Sequence, residues 1–332
     1  MLAGSFSVHR TARLLTGTVV VAALAAALTG CSAGAGAGTT AGCTPKAQSG
    51  QASDSVTATG RFGSAPSVRF QTPMHVDDVQ ATQLIAGHGA PLTAGQEVSA
   101  EVTFLNATTG AVVTKTDYTG SAPAKFVIGK VQITGLRAAL VCAKVGERLA
   151  VVLPPSQAIP AANRPAALAA TDSVVAVVDI RDAYLARANG TNQVMGSGLP
   201  AVVLGPDGRP GITLPQDTPP KALRVANLKD GDGARIQAGD TAVIQYTGVI
   251  WKPGDPTDGT VFDSSWTSGS PVDVVVKKGQ TVPGLVTALT GQRVGSQVLA
   301  ILPPSQAYGS QSTSTIPANA TLVFVVDILG KG

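Results

Sequence analysis

The chain has 332 residues, 24 Lys and Arg against 20 Asp and Glu, and a formal net charge of +4. Charged residues are only 13% of the chain and form no basic stripe, so the electrostatic footprint of nucleic-acid binding is missing. Histidine occurs only as His9, His75 and His88, and no CxxC, HExxH or GxxxxGK[ST] string is present. The sequence therefore gives no support to a metal centre, a nucleotide cofactor or a Ser–His–Asp site.

Residues 1–30 contain Arg10 and Arg13, no acid, and an apolar run from Leu14 to Leu28. A basic start, an apolar core and small residues at its end describe an export signal. The run is short for a bilayer span. Leu28-Thr29-Gly30-Cys31 resembles a bacterial lipobox. That resemblance implies Cys31 as a lipidated first residue and an extracytoplasmic protein anchored to the cell membrane. An ordinary secretory signal and a simple anchor helix are the other readings. Residues 31–58 follow, rich in Ala, Gly, Ser and Thr, and read as a flexible tether.

From residue 59 onward the chain repeats itself. VGERLAVVLPPSQA at 145–158 parallels VGSQVLAILPPSQA at 294–307, and TGLRAAL at 134–140 parallels PGLVTAL at 283–289. APSVRFQTP at 65–73 parallels RPGITLPQD at 209–217, and VVDI recurs at 177–180 and 325–328. A period this long means tandem domains rather than a solenoid. The boundaries read as a first copy over 59–182, a linker over 183–205 and a second copy over 206–332. Gly211 to Pro215 is expected as an extra leading strand of the second copy, and 182–189 has no assignment.

The second copy carries the informative stretch. Its pieces are TAVIQYTG (241–248), GTVFDSS (259–265), SPVDVVVKKGQTVPGL (270–285), VGSQVLAILPPSQAYG (294–309) and IPANATLVFVVDI (316–328). Apolar runs rich in Val and Ile, bounded by Gly, Pro and Ser, predict strands of an antiparallel sheet. Only Gly284 to Leu289 reads as helix, with Pro283 ahead of it, where a missing N–H does no harm, and Gly291 after it.

These motifs in this order resemble the FKBP-type peptidyl-prolyl isomerases over about 90 residues. The resemblance implies an α+β class: two FKBP-like domains, each a twisted antiparallel sheet wrapped around one short helix. Carried over by position, it implies a pocket in which Tyr246, Phe262, Asp263, Tyr308 and Phe324 act on an X–Pro bond. Val272, Thr281, Val282, Leu285 and Ile316 would bind substrate. Leu285 stands where many family members place a tryptophan, and Val272 where a phenylalanine is common; both changes remove ring surface. The first copy has Val102 for Tyr246, Val113 and Thr114 for Phe262 and Asp263, Ile159 for Tyr308 and Ala176 for Phe324. It is expected to be degenerate and inactive.

Taken singly, Tyr and Phe in strands are more often core than site, and Asp263 in VFDSS could cap a turn. The joint pattern favours an isomerase that assists exported, proline-containing polypeptides, with a macrolide as a candidate ligand and no metal or cofactor. The alternative is a non-catalytic proline-chain binding module or chaperone. With Cys31 taken by lipid, Cys43 and Cys142 remain as a pair for a disulfide in an exported chain. The competing reading makes Cys142 a buried free thiol.

Overall fold

The structure, a computed structural model, describes residues 43–332. The signal, the lipobox and Cys31 lie outside the described residues. In chain order the elements begin with α1 (Gln51–Asp54), β1 (Thr57–Thr59) and β2 (Ser67–Arg69). The first sheet follows: β3 (Gln80–Ile85), β4 (Glu97–Asn106), β5 (Val112–Lys115), β6 (Ala124–Val127), α2 (Thr134–Ala139), β7 (Arg148–Leu153) and β8 (Val174–Ala183). Next come β9 (Thr191–Asn192), β10 (Ala201–Leu204), β11 (Pro210–Thr213), β12 (Arg224–Asp230), β13 (Thr241–Trp251) and β14 (Val261–Ser264). The chain ends with α3 (Ser265–Ser268), β15 (Val272–Val275), α4 (Pro283–Leu289), β16 (Gln297–Leu302) and β17 (Thr321–Lys331).

Both large sheets are antiparallel and share one strand order. The first runs β3-β7-β8-β4-β5, with β6 also on β4; the second runs β14-β13-β17-β16-β12-β9, with β15 also on β13. Even the irregularities recur. Register shifts at Gln83/Ile85, Ser99/Ala100 and Phe104/Leu105 in the first sheet match those at Asn227/Lys229, Val243/Ile244 and Gly248/Val249 in the second. A bulge bends its strand and increases local twist, so each sheet curls at the same places.

The helix sits in the concave side of each sheet. In the second, Leu285, Val286, Ala288 and Leu289 of α4 pack on Ile244, Val298, Ala300, Leu302, Phe324 and Val326. Gly284 lies against Leu302, and Gly135 of α2 lies against Leu153; a Cβ at either position would overlap the leucine side chain. That close approach is why GL recurs at the head of both helices.

The long strands are buried on both faces, which explains why they read as continuous apolar runs rather than alternating ones. A hairpin covers the outer face of each sheet. β1 pairs with β2, and Val56, Val68, Phe70 and Met74 cover Leu105, Ala150, Val152 and Val175. β10 pairs with β11, and Leu199, Val202, Ile212 and Leu214 cover Trp251, Leu299, Ile301, Val323 and Val325.

Several expectations are corrected here. The tether read over residues 31–58 is packed from Cys43 on. Gln48 bridges to Gln80, Gln80 Oε1 accepts the N–H of Ala52 at 3.0 Å, and Val56 is buried. The small residues of that segment hid one well-placed valine and a set of backbone hydrogen bonds. The leading strand near 211–215 exists as Pro210–Thr213 but pairs with β10 in a separate hairpin, while β12 joins the main sheet. The stretch 183–205 carries β9 and β10, and within it Tyr184 and Ala188 are buried against the second sheet. Two further four-residue helices, α1 and α3, accompany the expected pair.

The structure joins Cys43 to Cys142 in a disulfide, with a Cα–Cα distance of 5.7 Å and a sequence separation of 99. It fastens the segment before α1 to the chain just after α2.

Candidate functional site

The second sheet and α4 enclose a cavity of about 410 Å³. A cleft of this size suits a small ligand or a short peptide segment. Of the ten residues read as a pocket, nine line it: Tyr246, Phe262, Asp263, Val272, Thr281, Val282, Leu285, Tyr308 and Phe324. Ile316 does not. It is buried in the core beside Ala320 and Leu322, where its short strand-preceding turn holds it behind the wall.

Each side chain is set by an element. Tyr246 and Phe324 face each other across β13 and β17, with ring centroids 6.0 Å apart. Phe262, on β14, stands edge-on to Phe324 at 5.4 Å. Edge-to-face packing puts the positive ring edge on a negative face. It fixes the apolar wall. The other wall is α4: Val282 is its N-cap, Pro283 its first residue, and Leu285 points in from its first turn. Thr281 Oγ1 donates to the Val275 carbonyl at 2.6 Å, tying the loop before the helix to β15. Tyr308 leaves the 3₁₀ turn at Pro304–Gln306 and is about a third exposed at the mouth.

The FDSS string does three jobs in four residues. The Tyr246 hydroxyl donates to Asp263 Oδ2. Thr247 Oγ1 and Ser264 Oγ share a hydrogen bond at 2.9 Å. Ser265 Oγ accepts the Tyr246 N–H at 2.8 Å. The last contact replaces a ladder hydrogen bond where β14 gives way to α3. It places Tyr246 relative to Asp263. Sequence reading quoted Ser265 without giving it this role, and the signal was its spacing two residues after Asp263. Asp273, Gln280, Ile244 and Val326 also line the cavity and were not named from sequence.

Burial, then the hydrogen bond and negative charge of Asp263, push the Tyr246 phenol well above the ordinary tyrosine range. It therefore stays a neutral donor at physiological pH. The cavity holds one carboxylate pair, Asp263 and Asp273, and no histidine, cysteine or lysine. Among the described residues no group of side chains could hold a metal ion, and no helix is long and apolar enough to cross a membrane. Chemically, this is an apolar box with hydroxyl donors and a carboxylate at its rim. It offers no nucleophile with a base beside it.

The base of the corresponding place in the first sheet is filled. By register Tyr246 corresponds to Val102, Gly248 to Phe104, Asp263 to Thr114 and Phe324 to Ala176. Phe104 is buried in the core with Val102, Ile159 and Ala176, and Val113 packs against them. A Cβ on Gly248 would overlap the Phe262 ring. The second repeat thus has glycine opposite Phe324, where the first has phenylalanine opposite Ala176.

Comparison with known proteins gives consistent results for this half of the chain. Residues 233–329 match the family model described as FKBP-type peptidyl-prolyl cis-trans isomerase. An FK506-binding protein of Streptomyces anulatus is 32% identical over 123 residues, covering 36% of this chain and 95% of that protein. The FKBP-type peptidyl-prolyl cis-trans isomerase FkpA of Aeromonas hydrophila is 40% identical over 101 residues, and the match spans 35% of its length. Among solved structures, the three FKBP domains of wheat FKBP73 align over 76% of this chain and 94% of theirs, at 19% identity and a TM-score of 0.32.

Proposed function

Because this chain belongs to the FKBP-type peptidyl-prolyl cis-trans isomerase family, we propose that its second repeat catalyses isomerisation of X–Pro bonds in exported polypeptides while its first repeat does not. The observation that carries this reading is the gathering of nine motif residues around one apolar cavity, with the Tyr246–Asp263 hydrogen bond at its edge.

The chemistry needs no covalent step. Rotation about an X–Pro bond is slow because resonance gives the C–N bond partial double-bond character, with a barrier of roughly 18–20 kcal/mol. Resonance separates charge between oxygen and nitrogen, and water stabilises that separation. An apolar box favours the twisted, less polar form over either planar isomer. Tighter binding of the twisted form is then the catalysis. Phe262, Val282, Leu285 and Phe324 would surround the proline ring. The Tyr308 hydroxyl would donate to a substrate carbonyl, as would the Val282 N–H, and Asp263 would sit near the twisting carbonyl with Tyr246 holding it.

The test uses the full chain and a protease-coupled assay on an Ala–Pro tetrapeptide. Phe324→Ala, which opens the wall between Tyr246 and Phe262, is expected to lower kcat/KM by about 100-fold, on the order of 2.7 kcal/mol, with an unchanged circular dichroism spectrum. An unaltered rate in a folded variant would contradict the proposal. Leu285 at the pocket floor favours the second reading, a proline-chain binding module or chaperone without useful turnover. That reading expects tetrapeptide binding with no wild-type rate above background. A macrolide would compete for the same cavity in either case.

The place of action is part of the proposal: the outer face of the cell membrane, with Cys31 carrying the lipid. Replacing Cys31 with alanine is expected to move the protein from the detergent phase to the aqueous phase, and unchanged partition would overturn the anchor.

A further inference from the structure

A second cavity, of about 500 Å³, lies in the first repeat beside its contact with the second. Lys125, Phe126, Gln132, Ile133 and Ile159 stand at the repeat positions of Asp273, Val274, Thr281, Val282 and Tyr308, so it is the outer part of the first repeat's own cleft. Phe126, Ile133, Ile159 and Pro160 of the first repeat give it an apolar wall, and Gln132 and Asn163 stand exposed at its rim. Ser270 of the second repeat closes one side. Two contacts hold this side in place: Lys130 Nζ donates to the Ser268 carbonyl at 3.2 Å, and Lys125 Nζ pairs with Asp273 at 2.5 Å.

That ion pair connects the two cavities. Lys125 lines the second cavity, and Asp273 lines the one that holds Tyr246 and Phe324. Each member of that pair thus lines one of the two cavities, and both are partly open to solvent. The second cavity also has an unmet polar demand. Glu97 lines it with its side chain more than nine-tenths buried, and its Oε1 has no hydrogen-bond partner. Lys125 Nζ stands 3.5 Å from that oxygen but is drawn to Asp273. A buried acceptor served only by one distant, shared cation still gains from a closer donor.

An extended polypeptide matches both demands. Its side chains offer apolar groups at alternate positions, and its backbone offers N–H donors at each residue. We propose that this second cavity binds the stretch of an unfolded polypeptide that flanks the proline held in the second repeat, so that the catalytically silent repeat holds the substrate for its neighbour. The inference rests on the proposed isomerase reading of the second repeat and extends it to the length of chain recognised. Because one chain engages both cavities, the gain arises from effective concentration rather than from a better pocket.

The test compares two probes on the full-length protein. One is the Ala–Pro tetrapeptide, which fits the first cavity alone. The other is a reduced, carboxymethylated protein whose refolding is limited by prolyl isomerisation. Asn163→Trp fills the mouth of this cavity from an exposed position, and Glu97→Gln neutralises its carboxylate. For Asn163→Trp the KM for the protein substrate is expected to rise about tenfold, with its kcat and the tetrapeptide kcat/KM within about twofold of wild type. Glu97→Gln is expected to raise the same KM about threefold, because an amide oxygen accepts a backbone N–H less strongly than a carboxylate, without touching the tetrapeptide rate. A KM unchanged or lowered in Asn163→Trp overturns the proposal, as does an equal loss on both probes. If the wild-type protein fails to turn over the tetrapeptide, the isomerase reading falls by itself. The cavity is then judged by fluorescence anisotropy with the labelled carboxymethylated protein. A Kd raised about tenfold by Asn163→Trp sustains it, and an unchanged Kd ends it.

Discussion

The two repeats share a strand order, a helix position and three register shifts, yet the ring-lined base of the second repeat's cavity is filled in the first, which keeps only the outer part of the cleft. The difference comes down to which strand carries an aromatic ring. In the second repeat Phe324 on β17 faces Gly248 on β13, leaving room for Phe262 to swing in from β14. In the first, Phe104 takes the glycine position, Ala176 the Phe324 position and Val113 the Phe262 position. Ring surface moved one strand across turns a binding wall into core. A packed interior tolerates such exchanges when total volume is kept. The fold can therefore lose the base of its cavity without losing its sheet.

A second difference lies at the equivalent positions in β7 and β16. Arg148 is fully buried, with Nε and Nη2 on the two oxygens of Asp179 at 2.6 and 2.7 Å. Its guanidinium also reaches the carbonyls of Gly60 and Arg61 at 3.0 Å, and Asp179 Oδ2 accepts the Gly63 N–H at 2.7 Å. In the second repeat the pair becomes Gln297 with Asp327, and Asp327 accepts the Ala188 N–H at 2.8 Å instead. The first repeat thus fastens its own hairpin loop, while the second fastens the segment that joins the repeats.

The largest expected effect tests that contrast. Arg148→Met leaves Asp179 in the core without its counter-charge, with only the Gly63 N–H to serve it, which should lower stability by about 3–5 kcal/mol. Gln297→Met removes one hydrogen bond from Asp327 and should cost about 1–3 kcal/mol. Urea midpoints of the full chain at constant m-value measure both. Equal losses would mean that the two pairs do not differ in the way their geometry indicates.

Next in size is the exchange of rings. Writing the first repeat's residues into the second, as Gly248→Phe with Phe262→Val and Phe324→Ala, should abolish tetrapeptide turnover by about 100-fold or more. Because the exchange copies a packing that exists about 145 residues upstream in the same fold, the melting temperature should hold within a few degrees. Gly248→Phe alone, with Phe262 still in place, should destabilise the protein by overpacking, typically about 1–3 kcal/mol. Full activity in the triple variant would break the comparison.

Much of this was legible in the sequence, for reasons that differ by residue. Strands β13, β16 and β17 announce themselves by Val and Ile runs, and α4 by its proline start. The pocket residues were legible only jointly, through the order of YTG, FDSS, VPGL and PPSQAYG, since none stands out by chemistry alone. Gly248 was not legible as half of a steric exchange, because its meaning depends on Phe262 and Phe324 on neighbouring strands. Ile316 was assigned to the cavity by position, but its side chain turns to the core. The hairpin pairings and the ordered segment from Cys43 do not show in the sequence because their strands are only three or four residues long, too short for a period to emerge. Register against a sheet edge is a tertiary property that local pattern does not encode.

The smallest effect concerns the same acidic position in the two sheets, and its sign differs between them. Burial pushes the Asp327 carboxyl above its ordinary value of 3.8, and the hydrogen bonds from Ala188 and Gln297 only partly offset this. An acid whose folded pKa is raised holds its proton more tightly in the native state than in the unfolded one. Stability from that proton is fully present below pH 3.8 and is lost as pH rises through the folded value. At pH 7 the carboxylate is thus buried at a net cost. Asp327→Asn stays neutral at every pH and keeps an acceptor for the Ala188 N–H. Its amide can donate to Gln297 once that side chain turns its oxygen inward, an exchange an amide makes without changing shape. The variant should be more stable than wild type at pH 7, by on the order of 1 kcal/mol, with the gap closing below pH 3.8. In the first repeat the same change, Asp179→Asn, should go the other way, because it leaves the buried Arg148 guanidinium without its counter-charge. Thermal denaturation at pH 7 and pH 3.5 reads both variants. A loss of stability at pH 7 in both would show that the two aspartates do the same work, and the contrast between the fastenings would then rest on Arg148 alone.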